Sequence, residues 1–306
     1  MIVTVARLFP HRVNTGNRPG WLLNPFVRLL VYLVLVMLSL TAVSLLIGWL
    51  FLDPLTNQRL TGTLLMNLTY TIMLTGLYIF LIKKIEQRPV YELSGTMWFT
   101  ELLAGLIIGA VLIAIVVLIF AIPGYYSIQS FNPLTGIMDG LVIFGYGAFF
   151  EELVFRLIIF KLLEEYFGSW ISMAVSALIF GTAHMFNDHA TLWSALAIAI
   201  EAGVLLSMAF IFTRRIWMAM GIHFAWNFMQ ASVFGLPASG MDFTGLITAE
   251  ISGPAWLTGG EFGVEASPVT VLLGLIISWF LLRKALQDDQ VVLPAWLQKK
   301  KTEIRY

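Results

Sequence analysis

Cysteine is absent from this chain. That excludes disulfides, thiolate metal sites and a cysteine nucleophile, and leaves the redox compartment undetermined. Charge is scarce as well. Asp, Glu, Lys and Arg make up 12% of the 306 residues, against about 25% in a soluble domain. Neither sign prevails, since 18 basic residues balance 18 acidic ones. The composition therefore gives no reason to expect nucleic acid as a partner. The first 21 residues lack a continuous apolar core, being interrupted by Arg7, His11, Arg12, Arg18 and two prolines. No cleaved signal peptide is expected from them.

What fills the chain is hydrophobic, 59% of it, with a mean hydropathy of +0.86. These residues fall in long runs. A membrane-spanning helix needs about 20 largely apolar residues, and eight runs qualify as candidates: 29–52, 60–82, 102–122, 137–160, 170–186, 192–213, 216–236 and 266–282. The expected fold class is all-α, a polytopic membrane protein of about eight transmembrane helices around a buried polar site.

Orientation follows from Lys and Arg. They collect in the N-terminal arm (Arg7, Arg12, Arg18, Arg28), after the second run (Lys83, Lys84, Arg88), after the fourth (Lys161) and after the sixth (Arg214, Arg215). The tail adds Arg283, Lys284, Lys299, Lys300, Lys301 and Arg305. The loops of the other side hold only Arg59. A cell-membrane, multi-pass protein with both termini cytoplasmic is expected, with membrane lipid as its surroundings. The longest connection, 237–265, has Asp242, Glu250, Glu261 and Glu265 but no Lys or Arg. It is placed outside, either as a lid or partner-binding loop or as a disordered connector.

Three of the runs contain groups that are costly in a bilayer and so mark a functional site. The fourth has Glu151, Glu152 and Arg156; the fifth has Phe180 and His184; the seventh has His223 and Asn227. Residues four apart share a helix face. Arg156 is thus poised to pair with Glu152, and Glu151, turned about 100° away, is left for chemistry. Alone, either histidine reads equally as a packing residue, and the Glu152–Arg156 pair as a helix-stabilising ion pair. In conjunction they are the residue types that activate a water and stabilise an oxyanion. At about 1.5 Å per residue, His223 lies roughly 12 Å in from Arg215, Glu151 roughly 15 Å in from Lys161, and His184 roughly 22 Å in from Ser169. Helix tilt would absorb the difference, giving a common cavity open to the cytoplasm.

These motifs, E-E-x-x-x-R, F-x-x-x-H and H-x-x-x-N in that order within 137–230, resemble the CPBP family of CAAX proteases and bacteriocin-processing enzymes. The resemblance implies an intramembrane endopeptidase acting on membrane-associated proteins or peptides, which in the CAAX branch are prenylated. It implies that Glu151 activates water with His184, that His223 and Asn227 stabilise the oxyanion, and that Glu152 and Arg156 support the site. Members are often classed as metalloproteases. No cofactor is favoured here, because H-E-x-x-H is absent; zinc is the alternative, held by Glu151, His184 and His223. The implied organisation is an N-terminal arm with three accessory helices (1–136), a catalytic helical core (137–236), then the acidic loop, last helix and basic tail (237–306). Glu201, in the sixth run, departs from the family pattern. It is expected to partner Arg156 or to be protonated and hydrogen-bonded. Asn67 reads as an interhelical hydrogen bond. Two other readings use the same residues: a proton- or ion-coupled transporter, and a non-catalytic immunity or scaffold protein. No inverted repeat favours the first, and no motif residue is missing to favour the second.

Overall fold

The computed structural model describes residues 20–50 and 59–298. The basic residues expected to flank the first and last helices at Arg7, Arg12, Arg18, Lys299, Lys300, Lys301 and Arg305 lie outside the described residues. The chain is built of helices running between two ends of a bundle. They are α1 (Pro25–Leu50), α2 (Arg59–Leu81) extended by a π-helical turn Ile82–Glu86, and α3 (Trp98–Ala121). Next come α4 (Thr135–Glu152), continued by a π turn Leu153–Phe160, and α5 (Lys161–Ala183). Helix α6 (Leu192–Ile198) runs through a π turn Ala199–Val204 into α7 (Leu205–Thr213). Helix α8 (Ile216–Asn227) also ends in a π turn, Phe228–Val233, and α9 is Pro268–Gln287.

Five helices among the described residues are long and apolar enough to cross a membrane: Pro25–Leu46, Gly62–Glu86, Trp98–Ala121, Leu192–Thr213 and Pro268–Gln287. The expectation of eight is met only to that extent. The other three candidate runs are helical too, but they are the ones that carry the three motifs. Charged and amide side chains lower their hydropathy, and α5 is broken at Gly168 (φ 72°, ψ 174°). The chain is also not wholly helical. β1 (Tyr126–Phe131) pairs antiparallel with β2 (Ile247–Ile251), with an irregularity between Ile128 and Ser130. Its two strands come from the connections after α3 and after α8, which fixes both at the same end.

The break at Gly168 corrects the expected loop at Lys161. The chain stays helical through Lys161 and turns at Gly168, where a Cβ would collide with the backbone of Val292, Leu293 and Pro294. Glu151 stands seventeen residues before that turn and His184 sixteen after it. At about 1.5 Å per residue both lie ~25 Å from the turn, so the mismatch in depth between Glu151 and His184 disappears.

The end of the bundle that holds Gly168 is tied by buried ion pairs. Arg28 reaches Glu86 at 3.3 Å and also bonds Glu165. Arg88 holds Glu86 at 2.6 Å and Glu92 at 2.5 Å, while Lys161 lies 3.0 and 3.1 Å from the same two carboxylates. Burial alone would raise the carboxyl of Glu92, but Lys161 and Arg88 outweigh it and hold it below the usual carboxylate range. Arg214 binds Glu164 at 2.6 Å, and Arg215 binds Glu101. These contacts join α1, α2, α3 and α5 to the segments between helices.

Closer to the site the helices meet backbone to backbone. Lipid supplies no hydrophobic drive between helices, so close approach of small residues does the packing. Gly105 and Gly109 on α3 face α8: a Cβ at Gly105 would collide with the Met218 carbonyl, and one at Gly109 with the Ile222 carbonyl. Gly221 on α8 returns the contact, its Cβ position blocked by the Leu102 carbonyl. Gly181 on α5 likewise abuts Ala195 of α6, and Gly203 lies on Ala177 of α5. The helices bearing His184 and His223 are thus fixed in place by glycines. Asn67 makes its interhelical bond, donating to the Val142 carbonyl at 3.2 Å.

Gly221→Ala is expected to lower the melting temperature in detergent, an overpacking cost of about 1–3 kcal/mol. Gly76→Ala, whose Cβ would meet nothing within 4 Å, should leave it unchanged or raise it, because glycine inside a helix costs roughly 0.5–1 kcal/mol relative to alanine. Equal shifts for the two would contradict the close α3–α8 packing.

Candidate active site

The three motifs converge. Glu151 and Glu152 sit at the last turn of α4, where the chain widens into a π turn, a feature common at functional sites. The two side chains part there. Glu152 is fully buried. Its Oε1 accepts from His223 Nδ1–H at 2.9 Å, and its Oε2 lies 3.1 Å from Arg156 Nε. The expected Glu152–Arg156 pair therefore exists, and Glu152 also holds an imidazole from α8. Arg156 is itself fully buried. Its Nη2 donates to the Ala202 carbonyl at 3.4 Å, and its guanidinium lies over the Phe180 ring, 4.8 Å from the centroid. Phe180 packs in turn against Phe155, His184 and His223, with ring centroids 4.9, 4.7 and 6.1 Å away.

Glu151 is partly exposed, yet its Oε2 is buried and has no hydrogen-bond partner within the structure. This oxygen lies 3.8 Å from His223 Nε2 and 4.0 Å from His184 Nε2. Both imidazoles are oriented for it. His184 stands where α5 ends, and its Nδ1–H donates to the Phe180 carbonyl at 2.8 Å. With Nδ1 engaged on each ring, each presents Nε2 to Glu151.

The donor chemistry of that trio suits zinc, but the spacing does not. Ligands bound at about 2.0–2.2 Å around a tetrahedral ion stand within ~3.6 Å of one another. The separations here are wider, and no group of three or more His, Asp or Glu among the described residues is close enough to hold a metal ion. A water hydrogen-bonded to the carboxylate and to an imidazole at about 2.8 Å fits a separation near 4 Å.

Beside the histidines is a cavity of ≈ 20 Å³, counted as space for water centres, enough for a water or two. Phe180, His184, His223 and Asn227 line it, together with Glu201, Ser239 and Glu265. The last two were not singled out in the sequence. Glu265 lies just before α9 and fixes Ser239, accepting from its N–H at 2.6 Å and its hydroxyl at 3.1 Å. Burial pushes the Glu265 carboxyl up to about 7, with the Ser239 bonds opposing. Gln230 binds the Pro237 carbonyl at 2.5 Å and accepts from Trp226 at 2.8 Å. Asn187 donates to the Ser239 carbonyl at 2.8 Å. The connection 237–265 is therefore ordered and seated on the site, not a disordered connector. Its residues that line the cavity, Ser239 and Glu265, come from the end of the bundle opposite the ion pairs. No local sequence signal separates Glu265 from Glu250 or Glu261. Glu201 does not pair with Arg156, which takes the Ala202 carbonyl instead.

Residues 132–229 match the family described as Type II CAAX prenyl endopeptidase Rce1-like. No curated protein and no solved structure matches the chain. The matched segment spans all three motifs and the helices that bring Glu151, His184 and His223 together, and over that segment the chain is similar to CAAX-type membrane proteases.

Proposed function

We propose that the protein is an intramembrane endopeptidase in which Glu151 is the general base. The observation that carries this reading is the buried, unpartnered Glu151 Oε2 facing two imidazole Nε2 atoms. A water held there gives a proton to Glu151. His184, with its proton on Nδ1, accepts a hydrogen bond at Nε2 from the water's remaining O–H. The hydroxide adds to the scissile carbonyl carbon, and the oxyanion accepts from the Asn227 amide and from His223, whose charge Glu152 balances at Nδ1. The C–N bond then breaks, and the proton on Glu151 passes to the leaving nitrogen. Arg156 keeps Glu152 from being a lone buried charge. Substrates are membrane-associated proteins or peptides, prenylated ones in accord with the matched family. No metal is required in this scheme.

The membrane arrangement belongs to the same reading. Eight helical passages, the five apolar ones and the three that bear the motifs, cross the bilayer with the ion-paired end cytoplasmic and the 237–265 connection outside. The bilayer, not bulk water, then surrounds the site, and the substrate reaches it within the membrane.

Glu151→Gln is expected to reduce peptidase turnover by 100-fold or more with an unchanged melting temperature, measured on purified protein with a membrane peptide substrate. Turnover near that of the unsubstituted protein would reject the base assignment. Chelator-washed protein should keep its activity and hold no stoichiometric metal by elemental analysis. Activity lost on washing and regained with zinc would instead establish a metal site.

Single cysteines report the topology directly in this cysteine-free chain. A cysteine at the exposed Ser252 should react with an impermeant thiol reagent added to intact cells. One at the exposed Gln298 should be protected until the membrane is opened. The reverse pattern would invert the orientation.

A further inference from the structure

Glu201 is a carboxyl that the water-activating scheme leaves unused. It is 3% exposed, and among the described residues its side chain has no hydrogen bond or ion pair. It is nonetheless fixed in place. The π turn Ala199–Val204 directs it, and Gly274 of α9 presses on it from behind, where a Cβ would stand 3.2–3.3 Å from Glu201 Cα, O and Cβ. Its side chain faces the cavity shared with His184, His223 and Asn227. The neighbouring carboxyl, Glu265, already has both oxygens filled by Ser239. The Arg156 guanidinium is committed to Glu152, Phe180 and the Ala202 carbonyl. A buried polar group without a partner is costly. An acceptor fixed beside an oxyanion site and unpartnered within the described residues is open to a donor from another molecule.

We propose that Glu201 is a substrate-binding residue, accepting a hydrogen bond from a backbone N–H of the peptide at or next to the scissile bond. This rests on the peptidase reading above and extends it. The donor class follows from the cavity: ≈ 20 Å³ has no room for a lysine or arginine side chain, whereas a backbone N–H is the smallest donor a peptide offers. The bond would set the register of the strand so that its carbonyl faces Asn227 and His223.

The test is a double-mutant cycle. Peptide substrates carry an ester in place of the amide, in turn at the scissile bond and at the bond on either side, which removes one N–H each. The protein is the full chain, unsubstituted or as Glu201→Met, which keeps length and removes the acceptor. On the all-amide peptide Glu201→Met should lose about 10-fold in kcat/KM, as expected for one hydrogen bond. One of the three esters should cost the unsubstituted protein a similar factor and cost Glu201→Met almost nothing further. Losses that multiply for all three esters would overturn the proposal. Glu201→Gln, which retains an acceptor oxygen, should recover part of the loss. The melting temperature of Glu201→Met should equal or exceed that of the unsubstituted protein. A variant that fails to fold, or melts lower, would show Glu201 to be structural and would equally overturn the proposal. Failure of the unsubstituted protein to cleave any of these peptides would reject the peptidase reading itself.

Discussion

A single fully buried carboxylate organises the centre of this protein. Glu152 takes the guanidinium of Arg156 with one oxygen and the Nδ1–H of His223 with the other. The arrangement is self-consistent: the arginine makes the carboxylate tolerable away from water, and the carboxylate in turn fixes the tautomer and tilt of an imidazole on a different helix. Removing either partner leaves an uncompensated charge among apolar helices. The Phe180 ring completes the unit, covering the guanidinium and touching both imidazoles.

Because Glu152 absorbs the arginine, its neighbour Glu151 is left with an unpartnered buried oxygen, and this division of labour between adjacent acids depends on backbone geometry. The π turn beginning at Leu153 falls at the residue after the pair. Similar turns follow Asn227 and contain Glu201. All three interrupt regular helical hydrogen bonding next to site residues, and the turn at Ala199–Val204 contributes Glu201 and Ala202 to the cavity wall. Such irregular backbone is tolerated at membrane depth where it is buried in protein or lines a cavity.

The helices are rigid enough to hold these distances because glycines let them touch. On α3 and α8 the carbonyls of one helix stand where side chains of the other would be, and α8 carries His223 and Asn227. At one end, ion pairs among Arg28, Glu86, Arg88, Glu92 and Lys161 lock the helix ends together. At the other, the connection 237–265 closes over the histidines through Ser239, Gln230 and Asn187. The site thus lies between a charged latch and a hydrogen-bonded cover.

Spacing four residues apart on a helix was enough to pair Glu152 with Arg156 and to put Phe180 beside His184, since helix geometry is local. Apolar run length pointed to a helical membrane protein for the same reason, and the motif order pointed to the family that residues 132–229 match. Length and apolarity in the structure single out five spans and leave aside the helices that carry the motifs, because the polar groups that make a site also depress hydropathy. Run length misplaced the turn after the fourth helix, because the steric demand at Gly168 comes from residues near 293, far along the chain. The bond from Glu152 to His223, the roles of Ser239 and Glu265 and the isolation of Glu201 rest on side chains that meet from separate helices. What the sequence determined by itself was what lies within one helix. Which helices touch, and which carboxyl is left unpaired when they do, was decided only by tertiary packing, since close approach between distant segments leaves no periodic trace in either one.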